Sequence, residues 1–154
     1  MDKSLIPVLL VFHDILATAL LLLISLQAFI AYFPQIAARV SRPQSRLPLE
    51  LRDVLCLLFV GTISLGATLY PAYRFHVRPF LEINGLQAPN GAFEIKEQLA
   101  ALSILMLPAY RAAWDRRFFA DTLIARRVIT SLLCGAVWWN FATGHVMNSI
   151  KGLS

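Results

Sequence analysis

Three histidines, His13, His76 and His145, occur in the chain, together with a few carboxylates set among apolar residues. Asp14 follows His13 inside a long apolar run, and Glu94 and Glu97 stand three apart, on one face of any helix that carries them. His145 and Asn148 are likewise three apart, with Asn140 about one and a half turns below. Imidazoles and carboxylates together suit two kinds of centre. His13 and His145, on different helices at matching depth, are candidate axial ligands of a single haem b, with Arg74 as a charge partner. Trp138 and Trp139 would pack beside such a ring. The alternative is a transition-metal site from His13, Asp14, Glu94, Glu97 and His145. It lacks the Glu-x-x-His pair of di-iron bundles, because Gln98 takes the position after Glu97. Without a cofactor, the same residues bond to one another and specify the packing of a scaffold or anchor. None of them forms a nucleophile–base pair, so the chain is not expected to be an enzyme on its own.

These residues need helices to position them, and composition says where the helices lie. Of 154 residues, 58% are hydrophobic and 15% charged, with a mean hydropathy of +0.64. An average soluble domain carries about a quarter charged residues. So little charge excludes disorder, and two cysteines exclude a disulfide scaffold. The expected fold class is an all-α integral membrane protein, an up-down bundle of four transmembrane helices forming one domain over 1–154. A span needs about 20 apolar residues, and the runs place the spans near 5–33, 54–74, 93–113 and 128–150. The third is the least apolar and must start near Ala92, taking in Glu94, Lys96 and Glu97.

Charge orients the bundle. The first and third connections hold Arg39, Arg42, Arg46, Arg52, Arg111, Arg116, Arg117, Arg126 and Arg127 against Glu50, Asp53, Asp115 and Asp121. That difference equals the whole net charge of +5. Lys- and Arg-rich short loops stay in the cytoplasm, so both termini and the middle connection are expected outside a cell membrane of the bacterial inner-membrane type. The basicity is then a topology signal rather than nucleic-acid affinity. The expected partners are the lipid bilayer and either membrane subunits or further copies of the chain. All three histidines, Asp14, Glu94 and Glu97 fall in the outer half, where Asp14 lies about 10 Å inside the hydrocarbon at a rise of ~1.5 Å per residue. An ionisable group at that depth marks a functional site.

Finer expectations concern turns and packing. Pro34 ends the first span and Pro71 and Pro108 kink theirs; Asn84-Gly85 and Pro89-Asn90-Gly91 are turns in a cap above the histidines. The segment from Pro34 to Leu51 is irregular. Trp114, Phe118 and Phe119 form an interfacial belt. Cys56 and Cys134 pack without pairing. Arg74 pairs with Glu94 or Glu97.

Overall fold

The computed structural model describes residues 5–35, 47–115 and 122–151, and among these all regular structure is helical. Four long helices dominate: α1 (Leu5–Tyr32), α2 (Leu47–Ala72), α4 (Gln87–Ala113) and α5 (Leu123–Ile150). A π-helical turn (Tyr73–Val77) and a short α3 (Arg78–Ile83) extend α2 without a break. Two stretches, Leu5–Tyr32 and Glu50–Ile83, are long and apolar enough to cross a membrane.

The side-chain contacts set the directions. Arg127 Nε donates to the Ala31 carbonyl at 3.1 Å, Tyr32 and Ser131 share a hydroxyl hydrogen bond at 3.0 Å, and Trp138 Nε1 donates to Ser25 Oγ at 3.2 Å. Residue numbers fall along α1 as they rise along α5, so the two are antiparallel. The same holds for α1 with α2, where Leu16 faces Gly61 and His13 faces Gly66, and for α4 with α5, where Trp114 faces Thr130 and Lys96 faces Gly144. α1 packs on α2 and α5, and α4 packs on α5 and, less extensively, on α2. The long helices therefore alternate in direction around one axis.

Each contributes a buried stripe at alternating three- and four-residue spacing, the pattern of interdigitated helices. In α5 it includes Arg126, Thr130, Leu133, Val137, Thr143 and Met147. In α4 it is Ser103, Leu107, Tyr110 and Ala113. The main core joins Ile24, Leu55, Phe59, Tyr110, Trp114 and Leu133, all at most 1% exposed. A second cluster, Tyr73, Val77, Leu81 and Met147, closes the histidine end. Ile6, Leu69 and Ala72 seal α1 against α2.

Several local expectations need correction. Pro89-Asn90-Gly91 is the first turn of α4, which begins at Gln87, not near Ala92. The first amides of a helix have no acceptor within it, so Pro89 sacrifices no hydrogen bond. The same reason lets α2 begin at Leu47 with Pro48 in its first turn, where an irregular segment was expected. Of the two expected turns, Asn84-Gly85 is the one that turns the chain. Gly85 (φ +67°) is in the left-handed conformation glycine tolerates, with Leu86 N–H bonded to the Leu81 carbonyl and Gly85 N–H to that of Glu82. The π-helical turn precedes Pro79, and Arg78 N–H closes onto the Tyr73 carbonyl five residues back. That widening relieves the clash a proline ring makes with the carbonyl four residues before it. α1 stops at Tyr32, just short of Pro34. Arg39, Arg42, Arg46, Arg116, Arg117, Asp121, Phe118 and Phe119 lie outside the described residues.

Trp114 is no interfacial ring. It is 1% exposed, donates Nε1–H to Thr130 Oγ1 at 3.0 Å, and lies 5.6 Å from the Arg126 guanidinium. Nearby, Gln27 is itself fully buried. Arg52 binds Asp53 through two hydrogen bonds (3.0 and 2.9 Å), and Arg111 approaches the same carboxylate at 3.6 Å. These bonds hold the Asp53 carboxyl below the usual carboxylate range, with the charges of Arg52 and Arg111 adding to the effect. A carboxylate with a depressed folded value stabilises the protein above its unfolded pKa of about 4, and that contribution disappears as pH falls through the folded value. Asp53→Asn is therefore expected to flatten this acid-side loss, seen in Tm against pH. Its size is below about 1 kcal/mol, since the pair is partly solvated.

Candidate functional site

Toward the histidine end the stripes of the four long helices take in polar residues and glycines. On α1, His13 stands one heptad before the buried Leu20, which is one heptad before Gln27. On α4, Lys96 stands one heptad before Ser103. On α5, Asn140 and Gly144 continue the spacing beyond Val137, and α2 supplies Thr62 and Gly66.

Two glycines make this possible. A β-carbon on Gly66 would sit 3.3 Å from His13 Cε1, and one on Gly144 would sit 3.3 Å from Lys96 Nζ. Each long polar side chain thus lies against bare backbone on the facing helix. The imidazole lies against the backbone at Thr62, and its Nδ1 is buried without a hydrogen-bond partner. Thr62 Oγ1 and Asn140 Oδ1 are also buried without partners, and so is the Tyr73 hydroxyl just above.

Lys96 is the group that sequence patterning missed. It is half-buried and reaches from α4 to α5, with Nζ 5.2 Å from the centre of the Phe93 ring. Asp14 and Glu97 are its electrostatic partners, yet among the described residues neither reaches ion-pair distance. The heptad from Lys96 through Ser103 to Tyr110 is the signal that would have revealed it. As a charge within a weakly apolar segment, Lys96 reads instead as part of a solvated helix start.

The expected site residues divide accordingly. His13 turns inward while Asp14, about 100° round the helix, stays exposed beside Lys96. Glu97 is half-buried; Glu94 is exposed. Arg78, not Arg74, bridges the connection, meeting Glu82 at 2.8 Å and Glu94 at 3.7 Å. Arg74 is exposed and acts on Glu97 at longer range. His145 is exposed, its ring stacked on Phe141 at 4.5 Å. It stands two residues from both Thr143 and Met147, the buried positions, and so is turned about 200° from each. His145 is thus turned away from the bundle interior in which His13 Nδ1 is buried. Trp138 and Trp139 are 54% and 43% exposed. Among the described residues no three His, Cys, Asp or Glu side chains gather to hold an ion, so His13, Asp14, Glu94, Glu97 and His145 do not converge on a metal.

The segments Tyr70–Arg74, Phe93–Glu97 and Gly144–Asn148 meet at this end. Tyr73 stacks on Phe93 with ring centres 3.5 Å apart, Lys96 lies on Gly144, and Met147 packs with Tyr73, Val77 and Leu81. Cys56 and Cys134 are free and half-buried against the main core. Comparison with known protein families, curated proteins and solved structures finds no match.

Proposed function

We propose that the chain is a four-span membrane protein with both termini outside, serving as a small subunit or anchor of a larger membrane complex. Its working part is the polar layer of His13 and Lys96 in the outer half of the bundle, with Asp14 and Glu97 at its edge. The observation that carries this reading is that both polar side chains turn toward facing helices and are seated there on glycines, His13 on Gly66 and Lys96 on Gly144. Apolar packing would have been the cheaper filling of such a layer, because unpaired polar atoms in a low-dielectric interior cost about 1–3 kcal/mol each. Support for the membrane comes from the outward faces, where Leu57 and Leu105 are each 74% exposed, Leu22 65% and Leu132 58%. Such broad apolar exposure suits lipid rather than water.

The test combines topology with assembly. In a background lacking Cys56 and Cys134, a cysteine at Asn84 is expected to react with a membrane-impermeant thiol reagent in intact cells. One at Asp115 is expected to react only after permeabilisation. Mildly solubilised protein is expected to migrate with a partner subunit, and a Lys96→Met variant to insert normally yet lose that association. Labelling of Asp115→Cys from outside would sink the topology. Unchanged association in Lys96→Met would remove the layer from the function.

A further inference from the structure

We propose that the extension of α2 beyond Ala72 is a docking strip for a different subunit, whose contacting segment is apolar and carries a carboxylate. The inference deepens the reading above and rests on it for the membrane and for the existence of a partner. The π-helical turn and α3 have two unlike sides. Tyr73, Val77 and Leu81 are buried with Met147. Phe75, Pro79 and Ile83 each stand two residues further on, on the opposite side of the helix. All three are exposed, Phe75 at 74% and Ile83 at 84%. They prolong the outward stripe of α2, in which Val54, Leu57, Val60, Ser64 and Pro71 are exposed.

Depth decides what can cover this strip. The charged group of Arg52, Asp53 and Arg111 marks one rim of the hydrocarbon. At a rise of ~1.5 Å per residue, Phe75 stands about 33 Å beyond Asp53 and Ile83 about 45 Å. The hydrocarbon core, about 30 Å thick, ends before Phe75, and both headgroup layers together bring the membrane only to about 40–45 Å. Ile83 therefore clears the far headgroups. Lipid covers Leu57 and Val60, whereas the strip carries an aligned apolar surface into water, the mark of a protein contact.

Charge selects the partner. Arg74 and His76 flank Phe75 and are exposed, and among the described residues Arg74 enters no ion pair. Glu82, the acid of this segment, is already bonded to Arg78 at 2.8 Å. A second copy in the same membrane would pack about a twofold axis along the membrane normal and set Arg74 against Arg74. Like charges so placed oppose association. A different chain with a carboxylate at that level gains an ion pair instead.

The test compares Ile83→Cys with Asn84→Cys in a background lacking Cys56 and Cys134, using an impermeant maleimide on opened host membranes. Ile83→Cys is expected to react about tenfold more slowly than Asn84→Cys, the ratio for a site free about a tenth of the time. In the purified chain in lipid nanodiscs the two should react alike. Adding Arg74→Glu should make Ile83→Cys fast in host membranes, and Arg74→Lys should leave it slow. Equal rates from a chain that still migrates with a partner would overturn the docking strip alone. Equal rates from a chain that migrates alone would overturn the reading above as well. Slow reaction persisting in nanodiscs would assign the cover to lipid, and a disulfide-linked pair of Ile83→Cys chains would assign it to a second copy; either overturns the proposal.

Discussion

Replacing Trp114 with alanine is expected to destabilise the fold by about 3–5 kcal/mol, the range for emptying a buried aromatic site. The indole is 1% exposed and packs with Tyr110 and Leu133 where α4 meets α5. Its loss also leaves Thr130 Oγ1 without the Nε1–H donor, in a position that is itself fully buried. The Arg126 guanidinium, 5.6 Å from the ring, loses its aromatic face as well. Unfolding of the purified protein in mild detergent, followed by intrinsic fluorescence or by gel mobility, measures the effect. Trp114→Phe should recover most of the packing but not the hydrogen bond, leaving a deficit of about 1 kcal/mol. A Trp114→Ala variant as stable as the parent would show that this end of the bundle is not packed as described.

Lys96→Glu is expected to be the most damaging single change among the polar residues of the histidine end, costing about 1–3 kcal/mol, the range for a partly buried polar group left without a partner. The substitution places a third carboxylate beside Asp14 and Glu97, with no cation in the layer to offset it. Folded yield in membranes and Tm in detergent should both fall, and Lys96→Met should be milder because it removes the charge without reversing it. Restoring stability in Lys96→Glu by a second substitution, Asp14→Lys, would establish that the two charges oppose each other across the α1–α4 gap. If Lys96→Glu folds like the parent, Lys96 faces water rather than the layer.

Much of the architecture was legible in the apolar runs. The Leu- and Ile-rich stretches of α1 and α2 admit only long helices, and the helices lie where those runs are. Prolines misled wherever they fell in a first turn. Pro48 and Pro89 look like breakers in one dimension, yet both stand among amides that a helix leaves unbonded anyway. Asn84-Gly85 could be read directly, because only the left-handed glycine closes that helix end. Trp114 was misjudged because an aromatic beside arginines has the composition of an interface whether it points out or in.

The candidate site was half legible for the same reason. That polar residues collect at one end follows from counting them along the helices, since depth depends only on residue number and rise. Which of them meet depends on azimuth, where two residues amount to about 200°. His145 faces away from the buried stripe of α5, whereas Lys96 continues a buried heptad. By itself, the sequence determined the long helical segments and the prevalence of helix throughout. Only the tertiary structure decided that His13 lies on Gly66 and Lys96 on Gly144, because that outcome requires those glycines to stand opposite them on other helices. No local pattern encodes a pairing made between chain segments dozens of residues apart.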